Sequence, residues 1–180
     1  LNAMDMVMRE EIKEALAQIV RDDEVRVVIL RANGRAFCAG GDIKTMGTSS
    51  PNAGRTRLRN VHILYKTLMT MDKPVIAAVN GYAAGSGLAL ACACDFRIAA
   101  KSAKFAASFI NVGLVPDCGI FYNLPRLIGV AKAKEMTMLG QSFDAEQALN
   151  LGLVTKVVDD DKLDVAVNEL AVQLAARSPI

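Results

Sequence analysis

Apolar side chains recur at three- and four-residue intervals at the start of the chain: Met8, Ile12, Leu16 and then Ile19 or Val20, set among Arg9, Glu10, Glu11, Lys13 and Glu14. That spacing places them on one face and predicts an amphipathic helix over about 3–21. The pattern then changes: Val25 to Leu30 reads as a buried strand, and Asn33-Gly34 is a turn signal. After Phe37, the run Cys38-Ala39-Gly40-Gly41-Asp42 reads as a loop leading into a short helix, and 47–55, with Gly, Thr, Ser, Pro and Asn, as a surface loop. Leu58, Val61, Tyr65 and Leu68 form a second helical stripe, which must end before Pro74 because proline cannot continue it. Val75 to Val79 is apolar throughout, as a strand buried on both faces would be. Asn80-Gly81 turns the chain into Gly85-Ser86-Gly87, and a helix of small residues follows from Leu88 to Cys92. Phe96 to Ala99 and Lys104 to Ala106 read as short strands, and helices are expected near 118–128 and 131–139. Asp144 with Gln147 resembles a capping box opening a further helix. Val154 to Val158 is a strand, and Leu163, Val167, Leu170 and Leu174 mark a last helix that stops before Pro179.

Strands alternating with helices predict an α/β layered domain. With 180 residues, 52% of them hydrophobic, the chain is long enough for one buried core, and no linker divides it. Segments 25–45 and 75–90 resemble each other, each being a buried strand that delivers a glycine-rich turn to a helix, which hints at a repeated unit. The 21 basic residues are scattered among 19 acidic ones for a net charge of +2, so no basic face stands out for nucleic acid or an anionic membrane. No apolar run approaches a membrane span, and the first residues lack a secretory pattern, so a soluble cytoplasmic protein is expected. Cys38, Cys92, Cys94 and Cys118 lack zinc-like spacing and His62 is the only histidine; free thiols and no metal are expected.

The chemistry that stands out is the pair of glycine-rich turns, Ala39-Gly40-Gly41-Asp42 and Gly85-Ser86-Gly87, each where a strand ends and a helix begins. Two such turns can aim free backbone N–H groups at one oxygen that gains negative charge, and the positive end of the helix opening near Ser86 adds to the field. Rival readings are weaker. Leu90 stands where a dinucleotide fingerprint needs its third glycine, and no glycine-rich run ends in Gly-Lys-Ser/Thr. By spacing alone, such turns also serve as packing devices.

Phe37-Cys38-Ala39-Gly40-Gly41-Asp42-Ile43 and Lys73-Pro74-Val75-Ile76-Ala77-Ala78-Val79-Asn80-Gly81-Tyr82 resemble signature segments of the crotonase (enoyl-CoA hydratase/isomerase) superfamily. The resemblance continues through Cys94-Asp95, Phe105, Gly113-Leu114-Val115-Pro116, Leu124-Pro125-Arg126-Leu127-Ile128-Gly129 and Gly152-Leu153-Val154, and so covers nearly the whole chain. It implies a spiral of ββα units that assembles as a homotrimer or a dimer of trimers. It also implies an acyl-CoA thioester as substrate, with no metal or redox cofactor. Relatives carry further N-terminal strands and C-terminal helices, which are expected to lie outside residues 1–180.

Matched residue by residue, the resemblance assigns the oxyanion-holding N–H groups to Ala39 and Ser86, the second at a position usually occupied by glycine. Ala39, Gly40, Gly41, Asp42, Gly85 and Ser86 would lie along the substrate and CoA, with Asp42 chiefly holding its loop. The two glutamates of the family's hydratases correspond here to Ala89 and Phe109, neither of which moves a proton. Asp117 stands where the family's enoyl-CoA isomerases place a catalytic carboxylate, and Asn111 to Gly119 looks most like the phenylacetate-pathway epoxide isomerases and the Δ3,Δ2-enoyl-CoA isomerases. One carboxylate suits a 1,3-proton shift, with Phe109 and Leu114 lining and drying the acyl pocket. From the residues alone, an Asp after Pro at a helix start is also a common N-cap.

The resemblance therefore favours an isomerase. Hydratase-like activity, hydrolase or dehalogenase chemistry of the kind relatives perform with a nucleophilic carboxylate near Asp117, and a non-catalytic acyl-CoA binder remain as alternatives. The isomerase reading requires the Asp117 carboxylate to face the cleft and the two amides to be unbonded within the protein. His62 is expected on the helix surface or in packing, Cys118 as a small buried residue, Tyr82 and Tyr122 in the core, and Lys44 and Arg35 in solvent or near the CoA phosphates.

Overall fold

The computed structural model describes residues 1–45 and 50–178. Helix α1 (Met6–Arg21) begins three residues later than the apolar periodicity suggested, because Asp5 caps it by accepting from the Met8 N–H. Met4 stays extended beside Gly41. Then come β1 (Val28–Leu30), β2 (Ala36–Cys38), a 3-10 turn at Ile43–Thr45, α2 (Pro51–Thr70), β3 (Val75–Val79), β4 (Tyr82–Ala84) and α3 (Ser86–Ala93). The second half contains β5 (Phe96–Ala100), β6 (Lys104–Ala106), a 3-10 turn at Ile110–Val112, α4 (Ile120–Ile128), α5 (Val130–Leu139), β7 (Ser142–Asp144), α6 (Ala145–Asn150), β8 (Lys156–Val158) and α7 (Leu163–Ala175).

Two four-stranded sheets result. One runs β1-β3-β5-β8, parallel throughout, and the other β2-β4-β6-β7, with β7 antiparallel to β6. Each of the first three pairs of strands sends its first member to one sheet and its second to the other, then leads into helical structure. This is the expected spiral of ββα units. It also accounts for the likeness of 25–45 to 75–90: β1 lies on β3 and β2 on β4, so the two glycine-rich turns become neighbours.

β3 shows why a continuous apolar run is needed. Val75, Ala77 and Val79 face the main core, while Ile76 and Ala78 face a second cluster with Ile98, Leu163, Ala166 and Val167 under α7. All eight residues of α3 are buried, so it needs small side chains. At Gly87 a Cβ would lie 2.2 Å from the Cys38 carbonyl oxygen, so the first turn of α3 rests directly on the end of β2. The other end of α3 is held by buried Arg97, which donates from Nη1 to the Cys94 carbonyl (2.5 Å) and from Nε to the Leu153 carbonyl (2.7 Å). A guanidinium thus occupies the negative end of this helix.

Several expectations are corrected. The loop expected over 47–55 is helix from Pro51, with proline at the first helical position and Ser50 capping through its side chain; 47–49 lie outside the described residues. The three-residue strands β2, β4 and β7 arise where turns or no element were expected. Tyr82 and Tyr122 are not core residues but 47% and 54% exposed, each with a cation over its ring, Lys104 and Arg126. All four cysteines are free and buried, and His62 is exposed on α2. No described helix is long and apolar enough to cross a membrane.

Candidate active site

Three chain segments converge on one cleft of about 460 Å³. The first leaves β2 at Cys38 and passes through Gly40, whose φ of +103° departs from an extended chain. Met4 lies alongside it, donating its N–H to the Gly40 carbonyl (2.8 Å) and accepting from the Asp42 N–H (3.2 Å). In a parallel pairing the residue between those two partners turns its own N–H to the opposite side. That residue is Gly41, whose N–H has no partner among the described residues and which lines the cleft. Ala39, the expected donor, is different: its N–H donates to the Leu1 carbonyl at 3.0 Å, and the Gly40 N–H is directed at Cys38 Sγ. The oxyanion role assigned to Ala39 is therefore corrected, since a spent amide cannot serve a ligand. The requirement that both assigned amides be unbonded thus fails at Ala39, and among the described residues the unbonded amide stands two residues further on, at Gly41.

The second segment is the Gly85-Ser86-Gly87 turn. Gly85 adopts φ +53°, a left-handed conformation suited to glycine, and donates its N–H to the Ala106 carbonyl. Ser86 then opens α3 without a side-chain cap, so its N–H is an unpaired first-turn donor among the described residues. The two turns touch. A Cβ built on Gly40, at φ +103°, would lie 3.0 Å from the Ala84 carbonyl oxygen and 3.7 Å from the Ser86 nitrogen. The Ser86 hydroxyl is buried and unpartnered, while its carbonyl accepts from the buried Tyr65 hydroxyl at 2.8 Å.

The third segment carries Asp117. It lies in an irregular stretch between the 3-10 turn and α4, followed by Cys118 and Gly119 at φ +55° and +77°. The N-cap of α4 is Gly119 and no side chain caps it, so the carboxylate of Asp117 is not used as a helix cap. Asp117 is half-buried, lines the cleft and is the only carboxylate among the described residues that do. Next to it the Cys118 thiol is pushed up, chiefly by burial and then by the Asp117 charge.

Ala39, Gly40, Gly85, Phe109 and Leu114 all line the cleft with Gly41, Ser86 and Asp117. Asp42 does not, and its carboxylate accepts from the Lys44 N–H at 3.0 Å, holding the loop. Phe109 is buried in the wall, but Leu114 is 39% and Val115 77% exposed, so this side of the cleft is open and not dried as expected. Ala89 is buried and stands back from the cleft. Sequence reasoning passed over Arg9 and Arg57, which bring two half-buried cations to the lining, and Asn111 and Ser108, which bring polar groups. A signal for Arg57 was present: it stands four residues before Val61 and so shares the buried stripe of α2. Among the described residues no three His, Cys, Asp or Glu side chains gather as a metal site would need.

The profile of the enoyl-CoA hydratase/isomerase family matches residues 1–180. The chain is 41% identical to the 1,2-epoxyphenylacetyl-CoA isomerase of Escherichia coli (strain K12), over 98% of its own length and 69% of that protein. It is 40% identical to the "Probable enoyl-CoA hydratase EchA12" of Mycobacterium tuberculosis, over 99% of its own length and 65% of that protein. It is 35% identical to the short-chain-enoyl-CoA hydratase of Clostridium acetobutylicum, over 100% and 69%. Among solved structures, an enoyl-CoA hydratase from Bacillus anthracis superposes with a TM-score of 0.93 at 36% identity, covering 98% of this chain and 69% of that one. The chain thus spans between 65% and 69% of the length of these relatives, which carry both hydratase and isomerase names. On the strength of the matching profile and the shared fold, this chain belongs to the enoyl-CoA hydratase/isomerase family.

Proposed function

We propose that the cleft binds acyl-CoA thioesters and shifts a double bond, or rearranges a ring epoxide, by proton transfer through Asp117. The observation that carries this reading is that, among the described residues, one carboxylate and no second lines a cleft walled by two unpaired amides. The thioester oxygen sits between the Gly41 and Ser86 N–H groups, and the positive end of α3 adds to their field. Removing a proton alpha to the carbonyl moves charge onto that oxygen, where the two donors hold it. Asp117 takes the proton and returns it at the gamma carbon, so no second acid is needed. Hydration would need a positioned water and a pair of acids, and the corresponding positions hold Ala89 and Phe109. The reading calls on no metal or redox cofactor, and for assembly we propose the homotrimer or dimer of trimers usual among relatives.

Asp117→Asn keeps the shape and removes the base. Isomerisation of Δ3-enoyl-CoA should fall by about 10²–10⁴-fold, the usual share of a general base, while acyl-CoA still binds. An undiminished rate would remove Asp117 from the mechanism. Running the wild-type reaction in heavy-oxygen water separates the rival chemistry, because isomerisation takes up no solvent oxygen whereas hydration and hydrolysis do.

A further inference from the structure

Tyr65 lies on the α2 face that packs on α3, and it is 3% exposed. A buried phenol needs a partner for its hydroxyl. This one donates to the carbonyl oxygen of Ser86, at 2.8 Å, in the very residue whose N–H is unpaired in the cleft. On its other side the same hydroxyl adjoins the thiol of Cys118, and that thiol adjoins the Asp117 carboxylate. Cys118 is itself unusual. It is buried, and it holds a left-handed φ of +55° that non-glycine residues rarely adopt, so surrounding contacts must fix it there. The Tyr65 hydroxyl is therefore bonded to the start of α3 and lies against the loop that carries the carboxylate.

We propose that Tyr65 is a positioning residue: by its hydrogen bond to the Ser86 carbonyl, and by packing against Cys118 next to Asp117, it holds the oxyanion-holding amide at a fixed spacing from the carboxylate. The inference rests on the proton-transfer reading above. Burial, followed by the neighbouring thiol, drives the Tyr65 hydroxyl well above its ordinary range, so it stays a neutral donor wherever the enzyme works. Substrate never touches it. Its contribution lies in keeping two groups from different elements in register, and misplacement on the ångström scale lowers a rate far more than it lowers binding.

The test compares Tyr65→Phe, Cys118→Ala, Cys118→Ser and Asp117→Asn in the full-length protein. Tyr65→Phe should lower kcat by about tenfold or more with KM within about twofold of wild type. In the same variant the infrared band of a ¹³C-labelled thioester carbonyl should move less on binding, because the Ser86 amide is no longer held on it. Cys118→Ala should lower kcat in the same way, and Cys118→Ser, which restores a donor and acceptor, should recover most of it. If Tyr65→Phe does not fold, the two Cys118 variants carry the test alone. Wild-type kcat and carbonyl band in Tyr65→Phe, or a change in KM alone, overturn the proposal, as does an unchanged kcat in Cys118→Ala. An Asp117→Asn enzyme that still isomerises defeats the underlying mechanism instead, which keeps the two failures distinct.

Discussion

Which amide of the Cys38–Asp42 run reaches the substrate is decided one residue at a time. Gly40, at φ +103°, breaks the alternation of N–H directions that an extended strand would have, so the glycine-rich pattern alone does not say which amide faces the cleft. The phase is set by Met4, which takes up the Asp42 N–H and the Gly40 carbonyl and leaves Gly41 facing the other way. Nothing in the local sequence shows that Leu1 and Met4 lie beside this turn, and for that reason Ala39 looked like the donor when its N–H is in fact bonded to Leu1. Gly41→Pro provides the check, since proline removes the N–H and leaves the Asp42 N–H to Met4 in place. Losing one such donor should lower kcat by about 10²–10³-fold, measured with the thermal unfolding midpoint as a control for folding. A Gly41→Pro enzyme within tenfold of wild type would return the donor role to another amide.

At the level of elements, long periodic or wholly apolar segments were legible: α1, α2 from its stripe, β3, the α4–α5 pair and the Asp144–Gln147 capping box all stand where the pattern put them. Of the short strands of the second sheet only β6, read at Lys104 to Ala106, was. β2, β4 and β7 have three residues each, too few for a period to show, and they exist because they pair across the chain, β2 with β4 and both β4 and β7 with β6. The start of α2 was hidden in a similar way, since its first turn is polar and exposed; only Ser50 and Pro51 mark it. α3 illustrates an element whose sequence is readable but whose orientation depends on a distant cation. Arg97 ties its C-terminal end to Leu153 while its N-terminal end presents Ser86 to the cleft. Arg97→Ala leaves the Cys94 and Leu153 carbonyls without that partner and should lower unfolding free energy by about 2–4 kcal/mol, read from denaturant midpoints. A loss below about 0.5 kcal/mol would mean that other groups hold α3 in place.

The whole molecule buries its chemistry unevenly, and this gives it a characteristic response to alkali. The two core clusters meet at the first sheet, and the main one encloses all four thiols. Burial pushes Cys92 and Cys94 up from the ordinary 9.0 to about 12. A thiol whose folded value is raised stays protonated in the native state after the unfolded chain has already lost its proton. Between about pH 9 and about 12 the unfolded state therefore binds fewer protons, and the linkage relation gives a stability that falls as pH rises. Below the unfolded value the contribution of these groups is constant. Each thiol should cost about 1.4 kcal/mol per pH unit across that window, so the pair makes the slope steep. Denaturant midpoints measured from pH 8 to 11 should decline more sharply above pH 9 in wild type than in the Cys92→Ala/Cys94→Ala double variant, with both flat in these groups below it. Parallel profiles would show that the two thiols already ionise in the folded protein, and that the packing around the end of α3 admits water.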